Sequence, residues 1–286
     1  MDTFRKVIKI TKGEPAVDGA GVKLVRVIGY SDAKDYDPFL MLDAFDSENP
    51  KDYTKGFPWH PHRGIETITY LIHGDIEHGD SLGNRGSILG GEGQWMTAGS
   101  GIIHQEMPKA STHMLGAQLW LNLPAKDKMT EPSYGDIKYE NIPVIDESGT
   151  KIHVIAGDYN GYKGAFEGKY IKATYLDVEL PRNKEWSFIN DAENTLFVYI
   201  FTGKAIFDLN KSVDNPEDLV DEKQAVLFSH GDKFWIKAAD KDVRFILLSA
   251  KPLKEPIAWG GPIVMNTNEE LQAAFEELDN DTFIKN

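Results

Sequence analysis

The sequence predicts an all-β protein made of two jelly-roll-like β-barrels in tandem, closed by one C-terminal amphipathic helix. Short runs of β-branched and aromatic residues recur from end to end, broken by Gly, Pro, Asn and Asp. These runs fall into two blocks of roughly 110–130 residues each, a length that suits a closed antiparallel barrel or sandwich. Only the last stretch carries helical rather than alternating periodicity. The chain of 286 residues is also about twice an ordinary domain length of ~150 residues.

In chain order, segments 22–28, 39–45, 66–72, 87–89, 94–98, 102–107 and 115–123 read as the strands of the first block. The polar stretch after them contains Pro124, Pro132 and Pro143 and holds neither period, so 126–150 reads as a linker. That assigns 1–125 to a first barrel and 151–286 to a second barrel with its helix. Segments 152–156, 171–180, 195–201, 204–209, 224–228, 233–236 and 243–250 read as the second block's strands. Thr267 and Glu270 have capping-box spacing, and Leu271, Ala274, Phe275 and Leu278 fall at i, i+3, i+4 and i+7. Glu269, Glu270, Glu276, Glu277 and Asp279 then form a solvated acidic face.

Composition removes several function classes. There are 31 Lys and Arg against 45 Asp and Glu, a net charge of −14, and no basic run is long enough to displace counterions from a phosphate backbone. Direct nucleic-acid contact and binding to an anionic membrane are therefore not expected. With no cysteine, the chain has no disulfide, thiolate nucleophile, iron–sulfur cluster or Cys-type zinc site, and any metal must be held by nitrogen and oxygen. The opening MDTFRKVIKI lacks an apolar secretory core, and no run approaches the ~18 apolar residues that span a bilayer. A soluble, cytoplasmic protein is expected. No dinucleotide fingerprint, P-loop or nucleophile elbow is present, and Gly90-Gly91-Glu92-Gly93 precedes a strand and reads as a turn.

Histidine is distributed unevenly. Of eight, His60, His62, His73, His78, His104 and His113 lie between residues 60 and 113. In extended chain alternate side chains share a face, so His60-Pro61-His62 aims two imidazoles the same way, and His104-Gln105-Glu106 aims an imidazole and a carboxylate. Pro61 removes a donor and favours a strand start, edge or bulge. On adjacent strands these pairs would gather three imidazoles and one carboxylate, a site for a divalent metal. An isolated H-x-H more often marks a polar strand face; two pairs between Gly-rich turns favour the metal. Glu66 shares the parity of His60 and His62, so both Glu66 and Glu106 are candidate carboxylates, and Glu106 has the advantage of a fixed place two residues from His104. Otherwise Glu66 is a hydrogen-bonding group behind the ligands. His73, His78 and His113 have no such partner and read as surface or supporting residues.

Two blocks carry a family resemblance. GFPWHPHRGIETITYL, residues 56–71, resembles the first cupin motif in the form found in pirins, and GQWMTAGSGIIHQEMP, residues 93–108, resembles the second. GGPIVMNTNEE, residues 260–270, extends the similarity over essentially the whole chain. The resemblance implies a bicupin with one metal in the first barrel and a second barrel that has lost its ligands. It implies iron, as Fe(II), held by His60, His62, His104 and Glu106, with Glu66 not a ligand. The same donors also accept Mn, Co, Ni, Cu or Zn. Neither His153 nor His230 sits in such a pattern.

Some pirins are quercetin dioxygenases, so the resemblance further implies an oxygenase taking a small aromatic substrate and dioxygen. Glu106 would then act both as ligand and as acceptor of a substrate hydroxyl proton. Phe57, Trp59, Trp95 and Met96 are candidates for an apolar vestibule, although plain core is the stronger reading for Trp95 and Met96. Arg63 either orients an oxygen-bearing substrate or pairs with an acid. The alternative is regulatory: animal pirins are co-regulators acting through protein partners, and a metal-dependent regulator of a metabolic enzyme fits the same motifs. No nuclear-type basic cluster is present, so the enzyme reading ranks first.

Overall fold

The computed structural model describes residues 3–285, and the chain divides into two compact units. One comprises 14–33, 38–139 and the segment from Leu253 onward; the other comprises the chain up to Gly13, 34–37 and 140–252. Each is built from antiparallel strands, and every predicted run contains one.

In the histidine-bearing unit a seven-stranded sheet runs in the order Ser133–Ile137, Gly93–Thr97, Ile65–His73, Met114–Asn122, Phe39–Ser47, Val22–Ile28, Glu14–Asp18. A four-stranded sheet, ordered Phe57–His62, Ile102–Pro108, Asp75–Asp80, Arg85–Leu89, completes the barrel. Ile76 and Ile88 of the smaller sheet pack with Phe45, Leu71 and Met114 of the larger at one end. The two central strands Ile65–His73 and Met114–Asn122 are buried almost throughout, as expected where strands are covered on both faces. Along Ile102–Pro108 buried and half-buried residues alternate, and His104 and Glu106 fall on the buried side.

The second unit repeats this plan. Its seven-stranded sheet is ordered Val7–Lys12, Gln224–Phe228, Thr195–Thr202, Val243–Ala250, Thr174–Leu180, Thr150–Ala156, Val144–Glu147, and the small sheet is Glu185–Ile189, Lys233–Ala238, Ala205–Ile206. Trp186, Phe188, Phe234 and Phe245 meet the aliphatic residues of the large sheet in one apolar core.

Three sequence expectations are corrected. Residues 126–150 are not a free linker: Ser133–Ile137 pairs with Gly93–Thr97, Val144–Glu147 pairs with Thr150–Ala156, and the division falls between Tyr139 and Glu140. These edge strands are half exposed and carry no clear alternation, which hides them in the sequence. The helix forms over Asn268–Asp279 with both hydrogen bonds of its capping box, but it belongs to the histidine-bearing unit rather than to the second barrel. There its Ala274, Leu271 and Leu278 pack with Ile263, Met265 and Phe283. Conversely, Val7–Lys12 leaves the first barrel and pairs with Gln224–Phe228 in the second unit. Among the described residues no helix is long and apolar enough to cross a membrane.

Candidate metal centre

Phe57–His62 lies antiparallel to Ile102–Pro108, with His104 opposite His60 and Ile102 opposite His62. As an edge strand it can carry Pro58 and Pro61 without breaking a central ladder. The pairing brings His60, His62 and His104 together so that one ring nitrogen from each lies within 4.8 Å of the others. The ring centroids are 4.4–5.0 Å apart.

Hydrogen bonds behind the rings decide which nitrogens face inward. His60 Nδ1 lies 2.8 Å from the carbonyl of Pro58, and His62 Nδ1 lies 3.1 Å from that of Pro262. A carbonyl only accepts, so each Nδ1 carries the hydrogen and each Nε2 presents its lone pair. Those two Nε2 atoms are 3.0 Å apart. Two acceptors in that position need a cation or a proton between them. His104 is buried and, among the described residues, neither of its ring nitrogens has a partner, an arrangement that costs roughly 1–3 kcal/mol per unsatisfied group. Burial, reinforced by neighbouring His60, pushes His62 down to about 3, and burial with His62 beside it drives His104 well below the usual histidine range. Near neutral pH His62 and His104 are therefore neutral imidazoles with lone pairs to offer. The donor set fits a divalent metal ion.

Glu106 shares the buried side of its strand with His104 but stands outside the three-histidine group. Thr69 Oγ1 donates to Glu106 Oε1 at 3.0 Å, and Gln118 Nε2 donates to Oε1 and Oε2 at 2.9 and 2.8 Å. Glu66 is fully buried and accepts from Thr97 Oγ1 at 2.7 Å. Its carboxyl is pushed up to about 7 by burial. Of the two carboxylates that parity allowed, Glu66 is turned to Thr97, and Glu106 stays on the strand of His104.

A cleft of about 750 Å³ opens onto His60 and His62. Phe57 and Trp59 line it, as the sequence suggested, together with Trp120, Trp259, Tyr30 and Gln118, which sequence reasoning missed. Trp120 stands edge-on to His62 at 4.9 Å and lies 6.0 Å from Trp259, which lies 5.6 Å from Tyr30. Gln118 and Trp120 alternate on one strand and were accessible to the parity argument; Trp259 is nearly two hundred residues from the histidine motif, and no local pattern marks it. On the polar wall, Arg26 grips Asp43 through two bonds of 2.9 and 2.7 Å and reaches Asp18 at 2.8 Å.

The other candidates fall elsewhere. Trp95 and Met96 are core residues, Met96 packing with Met41, Ile65 and Trp120. Arg63 does not line the cleft: it is buried, and its Nε and Nη2 donate to the carbonyls of Ser100 and Phe283 at 2.7 and 2.8 Å. His78 bonds the Tyr134 hydroxyl at 2.8 Å, and His73 stacks on His113, whose Nε2 lies 2.8 Å from Asp46. In the second unit His153 pairs with Glu179 and His230 with the carbonyl of Ala192.

Known proteins agree with this architecture. A model of the pirin family matches residues 21–121, and one of the pirin C-terminal cupin domain matches 175–284. A pirin-like protein of Caulobacter vibrioides is 41% identical over 283 residues, covering 98% of this chain and 99% of that one. Human pirin is 35% identical over 282 residues, 98% of this chain and 94% of its own. The crystal structure of a quercetin 2,3-dioxygenase from Acinetobacter baumannii aligns with a TM-score of 0.86 and 31% identity over 98% of both chains.

Proposed function

This chain belongs to the pirin family, and from that premise we propose that it is a metal-dependent oxygenase of the quercetin 2,3-dioxygenase type, acting on a flavonol or a similar enol or phenol. One observation carries the reading: two Nε2 lone pairs 3.0 Å apart, with an unpartnered buried His104 beside them, at the floor of an aromatic cleft. His60, His62 and His104 would hold the ion, with Glu106 as a fourth ligand. A bound Fe(II) supplies Lewis acidity and one-electron chemistry toward dioxygen.

The chain's own residues do the rest. Phe57, Trp59, Trp120 and Trp259 offer ring faces and edges to a flat substrate and keep water away from it. Glu106 takes the proton of the substrate hydroxyl, because an anionic oxygen is the better metal donor. Gln118 orients that carboxylate by donating to both of its oxygens. The Acinetobacter neighbour supports this reading through its name and its full-length alignment.

The test is anaerobic loading with Fe(II) followed by oxygen uptake in the presence of quercetin. Wild type is expected to consume oxygen as the flavonol spectrum disappears, and the His60→Ala/His104→Ala protein is expected to do neither. Glu106→Gln should retain most of its metal and lose turnover; full activity in that variant removes the proton-accepting role. Tight metal without turnover would replace the enzyme by a metal-dependent regulator working through a protein partner. Absence of stoichiometric metal in the wild type would overturn the site.

A further inference from the structure

We propose that the C-terminal segment, residues 260–285, is a working part of the metal centre, and that Arg63 is the positioning residue that locks it in place. The proposal rests on the ligand reading above and goes beyond it by adding a long-range support to the ligands.

The segment touches the centre directly through the Pro262 carbonyl, which accepts from His62 Nδ1 and so fixes both the tautomer and the rotation of that ring. Three further contacts hold Pro262 where it is. Val264 N donates to the Arg63 carbonyl at 3.1 Å, next in sequence to His62. The buried Lys128 amine donates to the carbonyls of Gly64 and Val264, both at 2.8 Å, and to Asn122 Oδ1 at 2.5 Å. Arg63 then closes the far end: besides Ser100, its guanidinium binds the Phe283 carbonyl, forms a 2.7 Å ion pair with Glu277, and lies over the Phe283 ring at 4.2 Å. A buried guanidinium that spends its donors on the Ser100 carbonyl and on the C-terminal segment rather than on the cleft has an anchoring task.

The residue after Arg63 completes the argument. Gly64 has φ +75°, and a Cβ placed there would stand 1.9 Å from the Val264 carbonyl oxygen. The segment passes so close that only glycine admits it. The run His62-Arg63-Gly64 thus encodes a ligand, an anchor and a clearance in three consecutive residues.

Co(II) serves as the probe, its affinity measured by competition with a chelator and its geometry by visible absorption. Arg63→Leu is expected to weaken Co(II) binding about 10–100-fold and to shift the cobalt bands, with Arg63→Lys recovering part of both. A folded Arg63→Leu protein with wild-type affinity and an unchanged spectrum would overturn the proposal. If that variant does not fold, wild-type hydrogen exchange decides. Coupling is reciprocal, so Co(II) loading must slow amide exchange in 260–285, and equal exchange with and without Co(II) would overturn it. A wild type that binds no Co(II) fails earlier and differently, by removing the ligand set itself.

Discussion

The two barrels use the same strand plan and treat their interiors in opposite ways. In the second unit, Trp186, Phe207, Phe228 and Phe245 surround Phe234 at centroid distances of 5.1–6.4 Å, and aliphatic residues of the large sheet fill the rest. Dispersion and hydrophobic burial dominate there, with the Trp186 Nε1 bond to the Tyr159 hydroxyl as a buried polar contact within the cluster. In the histidine-bearing unit, imidazoles, carboxylates, a glutamine and a threonine occupy the same kind of interior around an open cleft. Each polar group there must be held by a partner, and among the described residues His104 has none. A barrel can therefore be stable with either interior, and the one that gives up packing places three imidazoles beside an open cleft.

The largest effect expected from this contrast lies in the packed barrel. Phe234→Ala removes its central ring and should destabilise the protein by about 3–5 kcal/mol, read from chemical denaturation. Metal affinity of the remaining folded protein should stay at the wild-type level. Equal loss of metal affinity would mean that the aromatic core supports the ligands too, and the division of labour would fail.

A smaller effect, of opposite chemical character, is expected from Glu66. Its carboxyl is raised from 4.5 to about 7, so the folded state holds a proton that the unfolded state releases. Stability from this group is complete below pH 4.5 and is lost as pH rises through 7. Relative to Glu66→Gln, wild type should therefore lose on the order of 2 kcal/mol between pH 5 and pH 8. Denaturation curves of both proteins at the two pH values measure it. A pH-independent difference would mean that the interior around Glu66 is wetter than its full burial implies, and the contrast with the apolar barrel would shrink.

How much of this could be read from the chain depends on distance along it. His60, His62, His104 and Glu106 follow from a period of two within two strands, so local geometry was enough to place the histidines on one side and to propose their convergence. The register that joins the strands, with His104 opposite His60, needed the fold. Parity alone left both Glu66 and Glu106 open, and the family resemblance singled out Glu106; the partners of each, Thr97 for the first and Thr69 and Gln118 for the second, needed the fold. Arg63 was legible as a conspicuous charge but not in its task, because its partners Glu277 and Phe283 lie more than two hundred residues away. Exposed edge strands such as Glu14–Asp18 were missed because no buried face imposes alternation on them.

The helix gives the finest test, since its existence was legible and its allegiance was not. Thr267 Oγ1 accepts from Glu270 N at 3.2 Å, and Glu270 Oε2 accepts from Thr267 N at 3.0 Å. Thr267→Ala breaks this box and should cost about 1 kcal/mol, which corresponds to roughly fivefold faster amide exchange where opening is local. The location of the change is the informative part. If the helix is held by the histidine-bearing barrel, exchange should quicken over Asn268–Asp279 and its neighbours Ile263–Met265, while Val243–Ala250, far nearer in sequence than Arg63, stays as protected as before. Faster exchange in Val243–Ala250 would tie the helix energetically to the barrel it follows, and the Pro262 carbonyl would then depend on the wrong half of the molecule to stay beside His62.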